Sequence, residues 1–133
     1  MRVFLSYRFT GEDPKILNEI LHSICNSLEK AKHNNFCSFW SEDLYKKNKF
    51  TNKQILKHAL DELEKSDVYL AFVKSEEKSE GMLLEAGYAL AKKKKIYLAI
   101  KKGIRTTFLR EIADKVIDFE NLDELYEKLG KLE

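Results

Sequence analysis

Apolar and polar positions along this chain switch between two periods, and the switches divide it into alternating strands and helices. The run "RVFLS", residues 2–6, is short, β-rich and followed by the polar loop "RFTGEDP". Pro14 then suits a first helical position behind Asp13 as N-cap. Ile16, Leu17, Ile20, Leu21, Ile24 and Leu28 recur at the spacing of an amphipathic helix with one buried face. "NFCSFW", residues 35–40, predicts a second strand, followed by a lysine-rich loop. Thr51 can cap a second helix that turns Ile55, Leu56, Ala59, Leu60 and Leu63 inward. "DVYLAFV", residues 67–73, is continuously apolar, as a central parallel strand covered on both faces must be. A third helix over "EGMLLEAGYALAKKKK" (80–95), a fourth strand "KIYLAI" (95–100), a short helix "TTFLREIAD" (106–114), a fifth strand "KVIDF" (115–119) and a closing helix "NLDELYEKLGKLE" (121–133) complete the pattern.

Strand and helix alternate five times, which predicts an α/β fold: a three-layer open parallel sheet of five strands with right-handed crossovers. The expected strand order is 2-1-3-4-5, flavodoxin-like, in a single domain over residues 1–133. In such a sheet the ligand crevice lies beyond the carboxyl ends of strands one and three, where the strand order reverses. The chain delivers Ser6, Tyr7 and Arg8 there from strand one, the segment from Trp40 to Asp43 from strand two, and the segment from Lys74 to Gly81 from strand three. Met82 and Glu85 follow on the third helix.

Composition narrows the function. At 133 residues with 44% hydrophobic content, one ordinary core is affordable. Twenty-four basic residues against 22 acidic leave a net charge of +2, which argues against a nucleic-acid polymer or a membrane surface as partner. No apolar run reaches the about 18 residues of a membrane span. The one dense basic block, Lys92 to Lys95, falls at a helix end, where cations suit the dipole. Cys25 and Cys37 lie in apolar patterns without a CxxC and without a signal-like opening, and are expected to be buried thiols in a cytoplasmic protein. His22, His33 and His58 are scattered, without ligand spacing, so no metal and no cofactor is expected.

One residue stands out. Between Gly81 and Ala91 every position is apolar, small or aromatic except Glu85. At 100° per residue, Leu83, Ala86, Leu90 and Ala91 gather on one side of the helix, and Glu85 falls opposite among Gly81, Met82, Tyr88 and Ala89. Read plainly, that is an exposed face, with Lys92 as a solvent-side companion. Yet an exposed face ordinarily carries several charges, and a carboxylate flanked by glycine, methionine and tyrosine has the setting of a nucleophile or general base.

The segment "SDVYLAFVKSEEKSEGMLLEAGYALAKKKKIYLAI" resembles the core of nucleoside 2-deoxyribosyltransferases, in which a glycine precedes by four residues the catalytic glutamate of an E-x-G-Y/R-A element. Here these are Gly81, Glu85, Gly87, Tyr88 and Ala89. The opening "VFLSYRFTGED" resembles instead the start of a Toll/interleukin-receptor (TIR) domain, and a serine six residues before the glutamate fits that pattern too. The transferases carry an acidic residue where this chain has Ser79.

The resemblance implies an enzyme that cleaves or transfers at the N-glycosidic bond of a nucleoside or nucleotide, with Glu85 attacking the anomeric carbon or stabilising an oxocarbenium-like transition state. A TIR-like NAD glycohydrolase using the same glutamate is the alternative, and a non-catalytic TIR-like interaction module the rival of another class. On this reading Tyr7 hydrogen-bonds Glu85 or the sugar. Ser79 meets a sugar hydroxyl or phosphate, or else caps a helix. Arg8 holds a phosphate, or else is a surface arginine. Trp40 stacks on a base, or else is a core aromatic. Gly81 permits close approach of a ligand, or else only a turn, while Ser6 and Met82 complete the substrate-binding set. The transferases build their sites with a neighbouring subunit, which implies a homo-oligomer.

Overall fold

The computed structural model describes residues 1–77, 79–105 and 107–133. Five parallel strands, β1 (Arg2–Ser6), β2 (Asn34–Cys37), β3 (Val68–Val73), β4 (Lys95–Lys101) and β5 (Lys115–Phe119), form one sheet in the order β2-β1-β3-β4-β5. This is the expected α/β arrangement. β3 is buried at every position, because it pairs with β1 and β4 and is covered on both faces.

The alternation along β1 assigns the two faces. Val3 and Leu5 belong to the core beneath α1 (Pro14–Lys30) and α6 (Leu122–Leu129). Phe4 belongs to the opposite core, beneath α3 (Asn52–Glu64) and α4 (Glu80–Ala91). Period two therefore sends Ser6 to the α3/α4 side and Tyr7 to the α1 side. That single step of register decides the chemistry at the end of the strand.

Local signals explain most of the helix ends. Asp13 accepts from the Lys15 amide ahead of Pro14. Thr51 and Gln54 form a reciprocal capping box on α3. Ser79 accepts from the Met82 amide at 3.0 Å and so caps α4. Cys25 and Cys37 are buried free thiols, as expected.

Three elements depart from the pattern reading. The second strand ends at Cys37, and residues Ser38–Ser41 turn into a short 3-10 helix. The lysine-rich loop is partly helical, as α2 (Glu42–Lys47), with acids in its first turn, lysines in its last and Tyr45 buried as its anchor. The short helix of residues 106–114 shrinks to α5 (Leu109–Ile112), and Thr106 lies outside the described residues.

The largest correction concerns α4. Met82, Ala86 and Ala89 face the core, whereas Leu83 and Leu90, expected inward, are 47% and 52% exposed. The helix is turned so that the face bearing Glu85 looks toward the sheet. Tyr69 of β3 fixes this orientation by donating its hydroxyl to the Met82 carbonyl at 2.8 Å. Two alanines on that face let the helix lie close to the strands.

Candidate active site

At the carboxyl ends of β1 and β3 a cleft of about 880 Å³ opens, within the range of small-molecule sites. One wall comes from the loop after β1, through Ser6, Tyr7 and Arg8, and another from the start of α4, through Ser79, Gly81, Met82 and Glu85. The third wall is α3, with Asn52, Ile55, Leu56 and Ala59. Ile55 and Leu56 were expected inside the core and are only half-buried. They form an apolar flank of the cleft instead.

Glu85 stands on the inner wall of this cleft. The Ser6 hydroxyl, on a residue only 2% exposed, donates to Glu85 Oε1 at 2.6 Å. Burial pushes the carboxyl pKa up to about 7, and the bond from Ser6 opposes that rise by favouring the ionised form. The group therefore exchanges its proton near neutral pH, as a group in acid–base or nucleophilic chemistry must.

Tyr7 was expected to hydrogen-bond Glu85 or the sugar. It points to the α1 side instead and shares a 3.1 Å hydrogen bond with Ser38 Oγ, while its ring packs edge-on against Phe39. Burial raises its pKa far above the ordinary phenol value, so it stays protonated. It lines the cleft without holding the carboxylate. Trp40 does not line the cleft, because the 3-10 turn swings it over α1, where its ring meets His22 and Phe39 edge-on. Arg8 is at the cleft edge, with its guanidinium on Glu12 and Glu77. Gly81 faces open space, since nothing lies within 4 Å of where a Cβ would stand.

Glu42 lines the cleft, within the segment from Trp40 to Asp43 expected there, whereas Ser38 and Asn52 also line it and were missed. Both lie on elements that period counting misread or treated only as core: the 3-10 turn and the first turn of α3. Lys78, within the segment expected at the crevice, lies outside the described residues. Among the described residues no group of three histidine, cysteine, aspartate or glutamate side chains could hold a metal. Nor is any described helix long and apolar enough to cross a membrane.

A parallel sheet in this order, with a half-buried carboxyl group in the crevice where the strand order reverses, defines a small α/β domain with a candidate active site at its switch point. The sequence pattern of nucleoside 2-deoxyribosyltransferases matches residues 6–122, and the chain belongs to that family. No curated protein matches it in sequence.

Among solved structures it is similar to the CMP N-glycosidase BcmB of Clostridium botulinum, with a TM-score of 0.72 at 21% identity over 97% of each chain. It is also similar to the 2-deoxyribosyltransferase of Bacillus psychrosaccharolyticus, with a TM-score of 0.68 at 14% identity over 97% of this chain and 96% of that one. A conserved protein of Enterococcus faecalis V583 scores 0.70 at 13% identity, with the same coverage. These three likenesses concern the fold.

Proposed function

We propose that the cleft cleaves or transfers the N-glycosidic bond of a nucleoside or nucleotide, with Glu85 as nucleophile. The observation that carries this reading is Glu85 itself: a half-buried carboxyl group on the cleft wall, held through Oε1 by Ser6, with its pKa raised to about 7. It occupies the glutamate position of the E-x-G-Y-A element, in a chain that belongs to the transferase family.

In the reaction the second carboxylate oxygen attacks the anomeric carbon as the C–N bond breaks. The departing base keeps the bonding electrons and takes up a proton. The resulting glycosyl ester is resolved at the same carbon by water, giving hydrolysis, or by a second base, giving transfer. Ser6 is a positioning residue, holding the nucleophile and favouring its charge. Tyr7 and Ser38 form the floor on the α1 side, and Ile55 and Leu56 offer an apolar flank to the base. Ser79 keeps the first turn of α4 in place and leaves Gly81 open to the ligand.

A homo-oligomer accords with an apolar stripe on the outer side of α4. Leu83 and Leu90 are both about half exposed there.

The test is incubation of the purified protein with deoxynucleosides, their 5′-monophosphates and NAD, followed by chromatography of the products. Release of free base that vanishes in Glu85→Gln supports the assignment. Release of nicotinamide alone would favour the NAD glycohydrolase alternative, and a well-folded protein inert toward all three classes would favour a non-catalytic module.

A further inference from the structure

Arg8 is, among the described residues, the one cationic side chain lining the cleft, against four carboxyl groups at Glu42, Glu77, Glu80 and Glu85. Its guanidinium is already engaged on two sides. Nη1 lies 3.3 Å from Glu12 Oε2, and Nη2 lies 2.5 Å from Glu77 Oε2. Glu12 also holds Lys74 Nζ at 2.7 Å, so two cations are matched by two carboxylates.

The backbone adds a third constraint. Gly11, at φ +83°, passes so close that a Cβ there would stand 2.7 Å from Arg8 Nη2. The positive φ favours glycine there, and the loop closes over the guanidinium.

The two carboxylates differ in kind. The Glu12 side chain is 12% exposed and bridges Arg8 to Lys74, which fixes it as part of the wall. The Glu77 side chain is 74% exposed, in the loop between β3 and α4. Exposed pairs of this sort are weak and easily exchanged, whereas a guanidinium meeting a phosphate forms a stronger, two-pronged bond.

We propose that Glu77 is a specificity residue: it occupies Arg8 in place of a substrate phosphate and so biases the cleft toward unphosphorylated nucleosides. This rests on the N-glycosidic reading of the cleft. A 5′-phosphate must displace Glu77 before Arg8 can receive it, and it does so beside three further acids. An unphosphorylated sugar pays neither cost.

The experiment compares each deoxynucleoside with its own 5′-monophosphate in the wild type, in Glu77→Gln and in Glu77→Gln/Arg8→Ala, reading the ratio of the two kcat/KM values from released base. Glu77→Gln should raise the monophosphate-to-nucleoside ratio several-fold, as expected when a weak, exposed pair no longer competes with the ligand for Arg8. Removing Arg8 in that background should return the ratio to the wild-type value. A ratio unmoved by Glu77→Gln, or a gain that survives the loss of Arg8, overturns the proposal.

Calorimetric titration of the same ligand pairs into Glu85→Gln, with and without Glu77→Gln, separates this proposal from the reaction. If no base is released but the affinity ratio moves as stated, the role of Glu77 stands and the N-glycosidic reading falls. If neither ligand binds, both fall.

Discussion

One hydrogen bond joins Ser6 to Glu85, and the proposed chemistry depends on which state of the carboxyl group that bond favours. A hydroxyl that donates to a carboxylate stabilises the charged form, so it works against the burial that lifts the pKa to about 7. A nucleophilic glutamate must be ionised. Accordingly kcat/KM should rise with pH through an apparent pKa near 7, and Ser6→Ala should move that inflection to higher pH while lowering the rate at pH 7 by about tenfold. A pH–rate profile of both proteins checks this, and an inflection that stays in place in Ser6→Ala removes Ser6 from the account. Tyr7→Phe is expected to act differently. It gives up the bond to Ser38, which ties the end of β1 to the turn after β2. It should cost about 1 kcal/mol in a urea melt and leave that inflection in place.

At the scale of elements, α4 carries the site, and its orientation was the part of the site hardest to read. The sequence showed a helix with leucines on one side and a lone glutamate on the other, and counting at 100° per residue sends leucines inward. The orientation was settled by contacts that no local window contains. Tyr69 reaches the Met82 carbonyl, and the small side chains of Ala86 and Ala89 accept close packing against β3 and β4. The expected bond from Tyr7 to Glu85 is absent for a simpler reason. Extending the alternation of β1 by two residues past Phe4 and Leu5 would have placed Ser6 on the α4 side and Tyr7 away from it.

By contrast, the strand order and the capping at Asp13 and Thr51 were legible, because they rest on continuous apolar runs and local hydrogen bonds. The cap at Ser79 was one of two readings left open. Trp40 was placed at the crevice and α2 was missed because a 3-10 turn and a six-residue helix leave too short a period to detect. A prediction belongs at this scale too. Ser79→Ala should destabilise the fold by about 1 kcal/mol through loss of the cap and also weaken substrate binding, since α4 presents Gly81, Met82 and Glu85 from its first two turns. Thermal melts combined with KM measurements check it, and a variant that loses stability with KM unchanged would show that the cap does not set the site.

For the whole molecule, Glu85 links stability to pH with a definite sign. Its pKa is raised from an ordinary value of 4.5 to about 7 in the folded protein, so between those values the folded state holds a proton that the unfolded chain has released. The contribution of this group to stability is therefore largest below about pH 4.5 and declines as pH rises through about 7, by roughly 3 kcal/mol in all. Glu85→Gln carries no such charge. Urea midpoints at pH 5 and pH 8 should show the variant gaining on the wild type at the higher pH, and equal gains at both would mean that Glu85 is not held as a raised carboxyl group.

The claim to which the rest is attached is that Glu85 breaks a bond to an anomeric carbon. The most direct measurement is free-base release from a panel of deoxynucleosides by the wild type and by Glu85→Gln, both confirmed as folded by circular dichroism. The account predicts release by the wild type and a loss of at least about a thousandfold in the variant, as removal of a nucleophile brings. Release by a folded Glu85→Gln at the wild-type rate would contradict it.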